Sequence, residues 1–136
     1  MRTTLFFLLS FLLLIPAHAQ DRIYCPIPED GIWVNKSAKA KEITRIEIES
    51  KCVDNDVQMR LRAFTKCSPR DCKWGWQKAE FREYGGIRSY LIGFLSTKAL
   101  FVRNMNGLLD VRLIEIPHDH NEDQKQESYT LTRAKK

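Results

Sequence analysis

Beyond its first twenty residues, this 136-residue chain has no apolar run long enough to span a bilayer and no cluster of Lys and Arg. It also has no C-x-x-C pair and only two histidines there, His118 and His120. Each absence excludes something. Without a long apolar run no membrane span is expected. The net charge of +5 is spread along the chain, so nucleic acid is not an expected partner. The usual dithiol redox spacing is missing. Neither Ser68 nor Ser89 has the G-x-S-x-G context of a nucleophile elbow, which argues against a Ser/His/Asp triad. There is no internal repeat, and the 3.6-residue spacing of an amphipathic helix does not recur.

The one strongly apolar run comes first. Met1-Arg2 precedes LFFLLSFLLLI (Leu5 to Ile15), Pro16 breaks it, and Ala17-His18-Ala19 places small residues at −3 and −1. This pattern predicts a secretory signal peptide over 1–19, cleaved after Ala19. The expected product is secreted or periplasmic. Residues 20–30 then form a short N-terminal extension, and 31–136 a single β domain. The leader holds one of the 22 basic residues and none of the 17 acidic ones, leaving +4. A chain of this length buries about 65% of its surface on folding, enough for a core of its own.

All four cysteines, Cys25, Cys52, Cys67 and Cys72, follow the leader. An even number in an oxidising compartment reads as two disulfides, with three connectivities open. The favoured pairing is Cys67–Cys72 as a local staple and Cys25–Cys52 as a longer tie.

Strand signals dominate the remainder. GIWVN (31–35) is entered through Pro26, Pro28 and Gly31. ITRIEIES (43–50) places Ile46 and Ile48 opposite Arg45, Glu47 and Glu49, and VQMRLRAFT (57–65) alternates with period two. Further strands are expected from Lys73 through Glu83, over 88–96, 98–104, 108–116 and 128–133. Asp54-Asn55-Asp56, Tyr84-Gly85-Gly86 and Asn106-Gly107 mark turns, the last a strong hairpin signal. Apolar residues in 108–116 alternate at 109, 111 and 113 and then slip to Ile114 and Ile116, which predicts a bulge or bend. About eight strands with short connections make an all-β antiparallel meander. It closes most economically into a small calycin-like barrel, with a two-sheet sandwich as the alternative.

GIWVN, ITRIEI and KCSPRDCKWG together resemble an uncharacterised family of small exported, mostly bacterial proteins. Its pattern is G-x-W-x-N, T-R-I-x-I and W-G-x-C-x-P-x-D-C-D-W-G. The likeness covers Gly31 to about Arg133. It departs where the family has its first Trp-Gly, here Phe64-Thr65, and at its second signature Asp, here Lys73. The resemblance implies domain identity, not an activity, and Lys73 argues against any mechanism that needs the second acid. The G-x-W of Gly31-Ile32-Trp33 and the late Arg133 are also similar to the calycin barrels. That likeness implies that Trp33 sits at the closed end and that Arg133 packs across it.

Three places carry candidate chemistry. In CSPRDCKWGW (67–76), Asp71 is a polar recognition group and Trp74 and Trp76 a stacking surface for a flat ligand. The competing reading makes Pro69 and the disulfide shape a tight corner, Asp71 bind loop amides, and the two tryptophans share a partly core face. That structural reading is preferred. A lone carboxylate does not make a glycosidase. His118 and His120, among Asp119, Glu122 and Asp123, are candidate metal ligands, although a polar loop does not preorganise them. Arg45, Arg60 and Arg62 form an outward basic stripe, offset by Glu47 and Glu49.

No pair of convergent catalytic groups emerges and no cofactor is implied. The expected function is that of an exported, non-enzymatic binding module. It would hold a small molecule in a barrel mouth lined by Ile46, Met59, Leu61 and Val111. Otherwise it would hold a glycan or envelope protein on a surface of Trp33, Asp71, Trp74 and Trp76. The alternative is a hydrolase- or protease-inhibitor-like protein acting through the 67–72 loop.

Overall fold

The computed structural model describes residues 25–135. The expected leader and the stretch to Tyr24 lie outside the described residues.

Nine strands and no helix make up this part: β1 (Gly31–Val34), β2 (Ile43–Val53), β3 (Asp56–Thr65), β4 (Cys72–Lys73), β5 (Gln77–Phe81), β6 (Ile87–Ile92), β7 (Ser96–Met105), β8 (Leu108–Pro117) and β9 (Lys125–Arg133). Every pairing is antiparallel. The order β2-β1-β9-β8-β7-β6-β5-β3 closes on itself through β2–β3, and β4 is added outside β3. The fold is therefore an eight-stranded closed barrel of the small calycin-like type, with one extra strand.

The turn chemistry explains one end. Asp54 and Asn55 have φ of 48° and 64°, and Asn106 and Gly107 have φ of 55° and 83°. Two positive φ values in a two-residue connection define the type I′ hairpin, whose twist suits the flanking strands. These turns and the 82–86 connection lie at one end of the barrel. The connections 35–42, 66–76, 93–95 and 118–124 lie at the other.

Inward positions alternate along each strand and fill the interior. Trp33, Ile46, Leu61, Ile87, Leu100, Val102, Leu109, Val111 and Leu131 are all fully buried. Val111, Leu61, Ile46 and Met59, the expected lining of a ligand cavity, instead pack in one apolar cluster. Eight strands enclose just enough room for side chains to fill.

Three sequence expectations are corrected. The strand from Lys73 to Glu83 is broken, because residues 74–76 leave the sheet between β4 and β5. Strand 88–96 ends at Ile92, and Gly93 to Leu95 form a hairpin tip. The slip in β8 is no bulge: β7–β8 register runs unbroken from Ser96↔Pro117 to Met105↔Leu108. Ile114 and Ile116 therefore face outward, opposite Ala99 and Thr97. The real irregularity is in β2, between Ile43 and Arg45. Ile43 and Ile46 are both buried although three apart, which period-two alternation permits only with one extra residue, Thr44.

Candidate functional site

At the short-turn end, the extension from Cys25 to Asp30 folds under the barrel. Cys25 is bonded to Cys52, and Ile27 and Glu29 are buried. Ser50 ties this segment in: its Oγ accepts from Ile27 N and donates to Asp30 Oδ2 at 2.7 Å. Asn104 N donates to Glu29 Oε1, and Asn104 Nδ2 to the Pro28 carbonyl. Trp33 Nε1 donates to Glu29 O at 2.8 Å. The Arg133 guanidinium lies 4.1 Å from the Trp33 ring centroid and donates to the carbonyls of Asp30 and Pro28. Gly31, at φ 128°, leaves room for that guanidinium; a Cβ there would overlap Arg133 Nη1. Trp33 is fully covered and is no ligand platform.

At the other end, Cys67 and Cys72 are bonded and residues 68–72 are exposed. Asp71 Oδ2 accepts from Thr44 Oγ1 at 2.6 Å, so the carboxylate fastens the corner to the β2 bulge. The two tryptophans do not share a face. Trp74, anchored by its N–H to the Ala63 carbonyl, packs on the core cluster and touches Gly93. Trp76 turns to the outside of β3. There it meets the guanidinium groups of Arg60 and Arg62, 4.4 and 4.5 Å from its ring centroid. Arg62 and Arg45 also flank Phe64, at 5.5 and 4.2 Å.

This arginine–aromatic ladder is ion-paired throughout, three guanidinium groups against two carboxylates. Glu47 is buried and bonds Arg45 and Arg62 at 2.6 and 2.5 Å, while Glu49 bonds Arg60 at 2.6 Å. The pairing follows from register, since Glu47 faces Arg62 and Glu49 faces Arg60 across β2–β3. Such a ladder fixes Trp76 and leaves little surplus charge.

Beside Trp76 the wall opens. β3 and β5 pair over only three positions, Met59↔Ala79 to Leu61↔Gln77. Beyond them β3 from Asp56 to Gln58 and β5 from Glu80 to Phe81 diverge. The gap is a groove of about 1210 Å³, lined by Trp76, Gln58, Glu49, Lys78, Glu80 and Phe81 among others. It runs to Asp30 at the plugged end. The strand edges facing it have no strand partner. Sequence reasoning missed this groove because the end of β3–β5 pairing at Met59↔Ala79 leaves no mark on the period-two pattern.

The mouth of the barrel is polar and partly covered. Glu115 accepts from Ser96 Oγ at 2.8 Å and pairs with Lys98 at 3.1 Å, and these contacts hold its carboxyl below the usual range. Tyr129 donates to Glu127; burial first, and that carboxylate second, push its phenol above its ordinary value.

His118 is already committed. Its Nδ1 lies 3.0 Å from the Phe94 carbonyl and its Nε2 3.0 Å from Thr97 Oγ1. Among the described residues no three His, Cys, Asp or Glu side chains gather as a metal site, so His118 and His120 do not form one. No described helix is long and apolar enough to cross a membrane. Both disulfides are compatible with an oxidising compartment.

No protein family, curated protein or solved structure that was compared matches the chain.

Proposed function

We propose that the chain is an exported, non-enzymatic binding module that takes an extended segment of another protein in the groove beside Trp76. The carrying observation is the divergence of β3 and β5 after three paired positions, which leaves two strand edges along an open groove. Free edges bind extended chains through main-chain hydrogen bonds, and alternate side chains along the strand supply selectivity. Glu49, Gln58, Lys78 and Glu80 offer polar contacts there, and Trp76 and Phe81 apolar ones. The filled interior favours this wall over a small ligand inside the barrel. The expected signal peptide and both disulfides favour the periplasm or the medium as its place of work.

A second reading, inhibition through the 67–72 loop, is supported by one observation. That loop is exposed yet held at three points: the Cys67–Cys72 bond, Asp71 on Thr44, and Trp74 on Ala63. One experiment separates the two readings. A photo-crosslinking residue is placed at Gln58, in the groove, or at Ser68, in the loop, and the protein is irradiated in its own compartment. A protein adduct at Gln58 alone supports the groove. An adduct at Ser68 alone moves the function to the loop, and adducts at neither position sink both readings.

A further inference from the structure

Three strongly exposed apolar side chains gather in one place. Ile92, Phe94 and Leu95, at the β6–β7 tip, are 73%, 94% and 75% exposed. Exposed apolar residues scattered singly need no explanation, but three in four positions do. The patch continues along the outer wall. Tyr90 pairs with Ala99, and Ala99 with Ile114; Thr97 lies between Ile92 and Ile116 in the same way. The phase slip of β8 therefore places Ile114 and Ile116 outside, behind the tip.

The tip is held rigid. Gly93 N donates to the Ser96 carbonyl, and His118 N to the Leu95 carbonyl. The His118 ring bridges Phe94 O and Thr97 Oγ1, and Trp74 supports Gly93 from below. A convex apolar point fixed in this way loses little conformational freedom when it inserts.

Its surroundings supply the charge. Following the strand order round the mouth, the tip stands between the 66–76 corner and the 118–124 loop. The corner is joined to the 35–42 loop by Lys41 N donating to Lys66 O and Lys66 Nζ to Ala38 O. Segments 36–42 and 66–73 together carry six cations, Lys36, Lys39, Lys41, Lys66, Arg70 and Lys73, against Glu42 and Asp71. Glu42 and Asp71 accept from Lys39 N and Thr44 Oγ1, and the two segments keep a net positive charge. On the far flank, Asp119, Glu122 and Asp123 oppose an anionic surface, so the basic flank sets the tilt.

We infer that this end of the barrel docks on an anionic lipid bilayer, with Phe94, Leu95 and Ile92 inserted at the headgroup boundary and the basic loops on the charged surface. Apolar insertion combined with electrostatic attraction is how peripheral proteins bind such membranes. A rigid protrusion with a basic skirt suits a deformable charged surface better than it suits another rigid protein.

The test uses the chain from Gln20, since all nine strands and both disulfides lie within 25–133. Co-sedimentation is measured with vesicles of phosphatidylcholine alone and with 3:1 phosphatidylcholine:phosphatidylglycerol. Binding is expected only to the anionic vesicles, and should weaken as salt rises. F94S/L95S should reduce the partition coefficient at least roughly 30-fold, from the apolar area withdrawn. K41E/K73E should reduce it by more than roughly 10-fold. Near-UV circular dichroism of both variants should match the parent, because these side chains are exposed. Equal binding to both vesicle types, no binding, or a folded F94S/L95S that still binds would overturn the inference. So would a concentration-dependent dimer abolished by the same substitutions, since the patch would then serve a second copy of the chain.

Discussion

Replacing Arg133 with Met tests whether the plugged end is a stabilising cap. Met keeps an apolar stem over Trp33 while removing the guanidinium, so the loss reports the cation and its hydrogen bonds. Arg133 stacks on Trp33 at 4.1 Å and donates to Asp30 O at 2.6 Å and Pro28 O at 3.1 Å. A cation–π contact contributes about 0.5–1 kcal/mol at an exposed site. Each of two hydrogen bonds from a solvent-facing cation adds about 1 kcal/mol. The expected cost is therefore about 2–3 kcal/mol, which lowers Tm by roughly 10 °C for a domain of this size. Urea unfolding followed by tryptophan fluorescence measures it, given unchanged m-values. A W33F/R133M cycle should isolate a coupling of about 1 kcal/mol. Arg133→Lys should fall between the two, because Lys keeps the charge but loses the planar fork. A loss below about 0.5 kcal/mol for R133M would refute the reasoning and make Arg133 ordinary solvated surface.

Three further outcomes are expected. The C25S/C52S variant should lose about 3–4 kcal/mol and C67S/C72S about 2 kcal/mol in denaturant titrations, because the first bridge spans 27 positions and the second 5; equal losses would contradict the loop argument. In a spectrophotometric titration one phenol should lag behind the others and vanish from Y129F. Because the folded-state value of Tyr129 is raised, its contribution is present below pH 10 and is lost as pH rises beyond that. Glu115 has the opposite sign: its contribution is present above pH 4.5 and is lost as pH falls through the lower folded value. Since Ser96 is the largest cause of that lowering, S96A should flatten this limb of the stability profile, and an unchanged slope below pH 4.5 would remove the assignment.

Much of the wall was legible because period-two alternation is a direct image of a half-buried strand. Val57 to Thr65 reads as β3 from its side chains alone, and Asn106-Gly107 as its hairpin type from two residues. What escaped depends on neighbours in space. Thr44 is polar and unremarkable in sequence; only the burial of Ile43 beside Ile46 shows that it is the extra residue of a bulge. Trp74 and Trp76 are two apart and looked like one face. The chain leaves the sheet between them, so Trp74 goes to the core and Trp76 to Arg60 and Arg62. In the sequence, Ile114 and Ile116 read as a bulge or bend. In an unbroken register the same residues are an outward patch, and apolar spacing alone does not distinguish a kinked strand from a strand with two apolar sides.

The pairing of Trp33 with Arg133 has a consequence for the order of assembly. Strands β5 to β9 are neighbours in sequence and zip together by local hairpins as they emerge. The seam between β1 and β9 joins positions a hundred residues apart, a contact of the kind that slows folding. As the chain emerges from its N-terminus, the Cys25–Cys52 tie can form early, but the β9-facing side of Trp33 stays unpaired until Arg133 arrives. Closure of the barrel thus waits for the last strand. A chain truncated before β9 would stay an open sheet with two bare edges, a ready substrate for proteolysis.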